Sequence, residues 1–409
     1  MQSDKIIVPD VRLDMVPAHI DPALVTEFDH MNPPGMECGD VYKALSRLHA
    51  GPDRVWTPHP GGHWIATRAE DIKWIQETWN LFSAPEKGVP RGRMPHMPPI
   101  TCDPPEHTRY RAVFNPHFTA KRIKEQFEPA ARAVMVDLIE QMLPAGGCEA
   151  VGTFATPAPI KVFFDFVDLP FERREEFLGW GHDFGRSPDP QVRMAAHQSI
   201  VGYLSELLEQ RYSEPGPDVF TSISKWRDNP RFVSLAELTG MAQLLFLGGQ
   251  DTVASSMALA LWRLAERPEL QQQLKDDPEI IPAAVEELLR HHALSSTARL
   301  IMRDMEHKGA SMKAGELIMV VGPLSGIDAR WYDDPFTVDF DRGPVHYNSL
   351  GNGPHKCVGQ HLARMELRTM LEEWSRRMPI VRLDPAKPAP LSYPGGVIGV
   401  HHLHLAWDT

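Results

Sequence analysis

The chain has 409 residues, of which 42% are hydrophobic, 23% charged and 8% aromatic, a composition that excludes collagen-like, disulfide-scaffold and wholly disordered classes. Its 42 basic and 54 acidic residues leave a net charge of −12, which argues against a nucleic-acid or anionic-membrane binder because either partner would repel the average surface. Cys38, Cys102, Cys148 and Cys357 lie far apart with no C-x-x-C spacing, so neither a disulfide framework nor a zinc ribbon is indicated, and a reducing cytoplasm is expected.

Taken from the N-terminus, residues 1–17 contain no uninterrupted apolar leader core, and no run of about 18 apolar residues is apparent, so a soluble protein without a membrane anchor is expected. An alternating apolar and polar pattern over 53–67 reads as short strands. Seven prolines between 85 and 105 forbid a long helix there and make an extended cover. Helical spacing then dominates over 119–143, 158–190, 192–213, 234–266, 268–276 and 278–292. Further strand-like runs occupy 298–321 and 390–407. No repeat or flexible linker divides the chain, so one mainly α domain over 1–409 is expected, with segment 1–80 and strands in 390–407 supplying small peripheral sheets.

The stretch 234–266 opens on a capping-box pattern, Ser234 with Glu237, and ends before Pro268. Its middle reads Gly248, Gly249, Gln250, Asp251, Thr252. Each glycine costs about 1 kcal/mol relative to alanine inside a helix, and Asp and Thr compete for backbone hydrogen bonds. A widened turn is therefore expected, where a ligand can approach the backbone.

Near the C-terminus a glycine-rich loop, Ser349 to Gln360, carries Cys357 and leads into a helical pattern. A helix N-terminus beside the sulfur would lower its pKa and stabilise a thiolate, which serves as nucleophile or metal ligand.

The loop Gly351-x-Gly353-x-His355-x-Cys357-x-Gly359 resembles the haem-binding signature of the cytochrome P450 superfamily. Three more motifs follow the same resemblance: Glu287-x-x-Arg290 as the E-x-x-R helix, Gly249-Gln250-Asp251-Thr252 as the oxygen-activating groove, and Asp103-Pro104-Pro105-Glu106-His107-x-x-x-Arg111 as the propionate helix. An E-x-x-R pair alone is only an i, i+3 ion pair; the cysteine loop is the specific element. The resemblance implies the helix-rich triangular prism of that family with small peripheral sheets, and haem b between the long central helix and the Cys-loop helix. Leu350 departs from the pattern, since the family loop carries phenylalanine there; leucine keeps an apolar shell and is expected to shift the potential and haem retention.

By the same resemblance, Cys357 is the axial ligand of the haem iron, Thr252 and Asp251 deliver protons to dioxygen, and Gly248 and Gly249 make room for it. His107, Arg111, Arg299 and His355 are expected at the propionates. Glu287 and Arg290, joined by Arg342, are expected to form a buried network holding the cysteine loop. Residues 107–124 carry Arg109, Arg111, Lys121, Arg122 and Lys124 without an acidic residue. With Lys356 and Arg364 they form a basic patch suited to a [2Fe-2S] ferredoxin, served by its NAD(P)H-dependent reductase.

Gly248-Gly249-x-Asp251-Thr252-Val253 and Cys357-Val358-Gly359-Gln360 resemble the camphor-hydroxylating bacterial branch. That implies a small apolar pocket lined by Leu244, Leu247, Gly248, Ser295, Thr297, Gly396 and Val397, under a lid around His96 and Met97. The lid contains no tyrosine to bind a ketone as in the camphor enzymes, so a different compact terpenoid or norisoprenoid ketone is expected, with His96 as a replacement donor. His401, His402 and His404 read as surface-strand residues. The expected activity is monooxygenation with dioxygen; a peroxide-driven enzyme and a haem sensor without turnover are the alternatives, against which Asp251 and Thr252 count.

Overall fold

A computed structural model describes residues 16–232 and 234–408; the N-terminal residues 1–15, where no leader is expected, lie outside it. The molecule is helix-rich with small sheets at its edges. In the largest sheet, β1 (Arg54–Thr57), β2 (His63–Ala66), β3 (Phe82–Ser83), β4 (Ser296–Ile301) and β5 (Leu317–Val321) lie in the order β1-β2-β5-β4-β3. β2 runs parallel to β5, and the other pairs are antiparallel. Both faces of β2 and β5 are buried, which explains why Leu317–Val321 is apolar throughout rather than alternating. A second sheet joins Gly147–Glu149, Arg382–Leu383 and His404–Ala406; strands as short as these carry little sequence signal.

Helical stretches that read as continuous are broken at identifiable residues. The 119–143 run passes through a π-turn, Ile123–Phe127, before the helix Glu128–Met142, because Pro129 has no N–H for the preceding turn. The 158–190 run is two helices, Pro157–Val167 and Arg174–Arg186, separated where Asp168 adopts the left-handed region at φ 56°.

The central stretch is also two helices, Leu235–Gly248 and Thr252–Glu266. Ser234 occupies the N-cap, but its side chain caps nothing, so the expected capping box is not formed. Contrary to the reading that no stretch is apolar enough to span a bilayer, Leu235–Glu266 qualifies by length and composition; 56% of its most apolar window is buried inside the protein, as befits a core helix. The first helix, Leu235–Gly248, packs into an apolar cluster with Phe164, Phe177, Leu204 and Phe220. The second, Thr252–Glu266, packs with Leu288, Met370 and Trp374 beside the large sheet.

Glu287 and Arg290 sit 2% and 0% exposed on the helix Ile281–His291. Arg290 Nη2 donates to Glu287 Oε1 at 2.6 Å, and Arg342 Nε donates to the same oxygen at 3.1 Å. Both arginines donate to the carbonyl of Thr337, and Arg290 reaches Pro335. The expectation that this network holds the cysteine loop is corrected: its hydrogen bonds pin the 326–342 segment. The loop is tied instead by Ser349 to the carbonyl of Leu289 and by Asn348 Nδ2 to Ala69 at 3.0 Å.

Candidate active site

The floor of the site is the cysteine loop. Gly351 and Gly353 take φ of 70° and 63°, and a Cβ on Gly353 would meet the Gln76 carbonyl at 2.7 Å, so glycine is required there. Cys357 N donates to the Leu350 carbonyl at 2.8 Å, and Leu350 packs against the main core. The helix begins only at Gln360 with Gly359 at its N-cap, so Cys357 precedes the helix rather than opening it. The expected lowering of its pKa is not the net result: burial pushes the thiol up, against the Gly359 N–H and the Arg111 and Arg364 charges, which favour the thiolate.

The roof is the break in the central helix. A Cβ on Gly248 would meet nothing within 4 Å, whereas one on Gly249 would come closer than 3.0 Å to three ring atoms of Phe163. Only Gly248 therefore opens onto free space, and the expectation that both glycines make room is corrected. Thr252 Oγ1 donates to the Gly248 carbonyl at 3.3 Å. The Asp251 carboxylate is 44% exposed and is ion-paired with Arg186. The Arg186 guanidinium lies 4.6 Å over the Tyr393 ring. Arg186 and Tyr393 carry no motif around them, and 65 positions separate Arg186 from Asp251; helical phase alone could not have paired them.

Beside the floor lies a buried basic cluster. His107 and His355 meet edge-to-face at 4.5 Å, and His355 Nε2 is buried without a hydrogen-bond partner among the described residues. Burial and the Arg111 and Lys87 charges push His107 down to about 4; burial with Lys87, Arg299 and His107 nearby pushes His355 further down. Burial also lowers Arg299 to about 10. Arg111 Nη1 donates to the Lys356 carbonyl at 2.8 Å. Lys87 is a fifth member that sequence reasoning missed: it is 4% exposed inside the proline-rich segment, and its own carbonyl accepts from Ala298 N at 3.0 Å.

The pocket residues are only partly gathered. Leu244, Leu247, Gly248, Asp251 and Thr252 form a stripe of incompletely buried residues along otherwise buried helices. Ser295 bridges Val397, and Ser296 N donates to the Gly396 carbonyl at 3.1 Å, which brings that turn to the end of β4. Thr297 is corrected: its hydroxyl accepts from Arg299 at 3.1 Å and belongs to the basic cluster. Met97 is buried, and His96 is exposed, with its ring 3.1 Å from Thr101 Oγ1. The His96 carbonyl lies where a Cβ on Gly240 would meet it at 2.6 Å, which seats the lid on the central helix.

Of the basic patch, Lys121, Lys124 and Lys356 are exposed and form no ion pair among the described residues. Arg122 donates to the Pro217 carbonyl. Arg364 is paired with Glu286 at 2.6 Å and Arg109 with Glu106 at 2.7 Å, so these two contribute less positive charge than expected. His401 stacks near Tyr393 at 4.4 Å, and His402 contacts the Ala389 carbonyl at 3.0 Å.

The family model for cytochrome P450 matches residues 186–377. Over 410 residues the chain is 30% identical to probable cytochrome P450 127A1 of Sinorhizobium fredii (strain NBRC 101917 / NGR234), covering 97% of this chain and 98% of that one. The chain is a cytochrome P450. It is 33% identical over 312 residues to vitamin D3 dihydroxylase of Streptomyces griseolus, covering 75% and 77% of the two chains. The solved structure of cytochrome P450 CYP101C1 matches with a TM-score of 0.87 at 31% identity, over 97% of this chain and all of that one. The structure of CYP101J2 matches at 0.86 and 28% identity, over 96% of this chain. The fold is thus the P450 fold, and the cofactor of the family is haem b. The residues present suit that cofactor. A cysteine sulfur lies beside a buried cluster of cations and an unpartnered imidazole nitrogen, the surroundings that two desolvated carboxylates require.

Proposed function

We propose that this P450 monooxygenase hydroxylates a compact hydrophobic compound, a terpenoid or norisoprenoid ketone, using dioxygen and electrons from a [2Fe-2S] ferredoxin with its NAD(P)H-dependent reductase. The observation that carries the reading is the helix break, where Gly248 faces free space next to Thr252 and an Asp251 held by Arg186. Haem b, when bound, supplies dioxygen binding and reductive activation. Cys357 is the thiolate ligand to its iron, with the Gly359 N–H and the Arg111 charge favouring the anion. His107, Arg111, Arg299 and His355 receive its propionates.

Thr252 releases its weak bond to the Gly248 carbonyl and presents its hydroxyl to the open space. Asp251, with nearly half its carboxylate in solvent, collects protons and passes them to that hydroxyl. Arg186, flattened on Tyr393, sets where the carboxylate points. Leu244, Leu247, Met97 and Val397 present apolar surface, exclude water and select a hydrophobic substrate, with His96 as the polar group of the lid. Lys121, Arg122, Lys124 and Lys356 meet the acidic ferredoxin, with smaller contributions from Arg109 and Arg364. The chain works as one cytoplasmic domain.

The test is optical and kinetic. Purified holoprotein, reduced under carbon monoxide, should give the far-red Soret band of thiolate ligation; a histidine-like band would overturn the Cys357 assignment. Ionone-type ketones should convert the ferric low-spin spectrum to high spin, and a response to fatty acids alone would overturn the substrate class. Product should form with NAD(P)H, reductase and ferredoxin. Turnover with peroxide alone would move the assignment to a peroxide-driven enzyme, and ligand binding without turnover in either system would make it a sensor.

A further inference from the structure

The buried basic cluster holds more positive charge than the protein around it balances. It gathers three basic side chains, Lys87, Arg111 and Arg299, around the paired imidazoles of His107 and His355. Lys87 is 4% exposed, and its ammonium has neither a hydrogen bond nor an ion pair among the described residues. Arg299 spends Nη1 on the Thr297 hydroxyl and the Ala298 carbonyl at 3.1 and 2.9 Å, and Arg111 donates to Lys356 and Asn115. Neither arginine bonds to a carboxylate. The nearest acid, Asp103, is taken up by Ser83 and by Ala84 N, and it acts on Lys87 and Arg299 only through its charge.

An unpaired buried ammonium is strongly unfavourable. Consistent with this, burial and the neighbouring Arg299 drive Lys87 well below its usual range, and an entering carboxylate would restore the proton and make it the third cation. A chain this acidic has many places for a lysine in solvent, yet this one is inside. Three cations facing one carboxylate become balanced when two further carboxylates enter, and a cofactor with two propionates brings that number.

We infer that Lys87 is a haem-propionate ligand, a cation supplied from the proline-rich segment beside those of the propionate helix and β4. The backbone explains how it gets there. The carbonyl of Lys87 accepts from Ala298 N at 3.0 Å, so the cover segment is stitched to the strand that carries Arg299, and the two side chains, on neighbouring segments, are close enough for the charge of one to act on the other. The assignment rests on the propionate reading of His107, Arg111, Arg299 and His355, and it adds a consequence: holding the cofactor also holds the segment that leads to the lid at Met97.

The experiment compares wild type, K87M, K87R and R299M as holoproteins and after haem removal. Haem transfer to excess apomyoglobin should be about ten- to hundred-fold faster from K87M, the loss expected for one charge-assisted hydrogen bond, with partial rescue in K87R. Apo K87M should melt at a higher temperature than apo wild type, because methionine removes a buried amine without a partner. A merely structural lysine would not give these opposite signs. Reconstitution with haem dimethyl ester, which lacks both propionate charges, should bring wild type and K87M to the same transfer rate. If R299M speeds transfer of ordinary haem and K87M does not, the Lys87 inference fails while the propionate reading stands. If neither variant changes transfer, both fall.

Discussion

Gly248 and Gly249 are adjacent and chemically identical, yet alanine at each should behave oppositely. Gly249 has φ −91° and ψ −8°, which alanine can adopt, so the backbone is not the obstacle. The obstacle is Phe163, three of whose ring atoms would lie closer than 3.0 Å to the new Cβ. Phe163 is 3% exposed within a tightly packed aromatic cluster and has little room to retreat. Gly249 lies in the break between the two helices, so alanine gains no interior helix propensity there to offset the clash. G249A should therefore lose the cost of overpacking, about 1–3 kcal/mol. G248A meets nothing within 4 Å and should be as stable as wild type or better. Its methyl instead projects into the space next to Thr252, so it should alter the ferric spin equilibrium and substrate affinity. Urea unfolding followed by circular dichroism, with spin-state titration in parallel, separates the two effects. A double variant with F163L should recover part of the G249A loss, since the two side chains share one space. Equal stability of G249A and wild type would refute the packing argument.

Removing the Arg186 charge as R186M should change stability by less than about 1 kcal/mol, because the Asp251 pair is half solvent-exposed; it should lower product formed per NADH consumed and change the solvent isotope effect on turnover, and unchanged coupling would remove Arg186 from proton delivery. R290M should destabilise by about 3–5 kcal/mol, since it leaves Glu287 buried beside only Arg342; a guanidinium chloride midpoint close to wild type would refute the view that the network is mutually dependent. His30 is held down at about 4 from 6.5, chiefly by burial, beside the similarly buried His63. Because the unfolded chain binds this proton first, the stability is fully present above pH 6.5 and is lost as pH falls towards 4, by up to about 3 kcal/mol. Denaturant midpoints from pH 7 to 4.5 should fall less steeply for H30Q, and parallel curves would refute the assignment.

The parts of the site legible in the sequence are those fixed by neighbours in the chain. The Cys357 loop needs glycines at positive φ, and the break at 249–251 needs residues that tolerate a lost helical bond; both conditions are local and leave a local pattern. The same holds for the i, i+3 contact of Glu287 and Arg290. What the network grips was not legible, because the carbonyls of Pro335 and Thr337 are presented by a loop without regular spacing.

Spacing also misplaced several side chains. Thr297 shares one strand face with Arg299, and its hydroxyl was taken by that arginine instead of by the pocket. Arg109 and Arg364 counted as free charge until Glu106 and Glu286 were seen to neutralise them. Gly249 looked like open space until Phe163 filled it.

The amino-acid order by itself therefore determined the helical class, the glycine-bearing Cys357 loop and the break in the central helix, since each depends on backbone preferences within a few residues. The tertiary structure alone decided that Arg186 holds Asp251 and that Lys87 enters the basic cluster. Those outcomes depend on which distant segments pack together and which charges lose water when they do, and no local spacing encodes either.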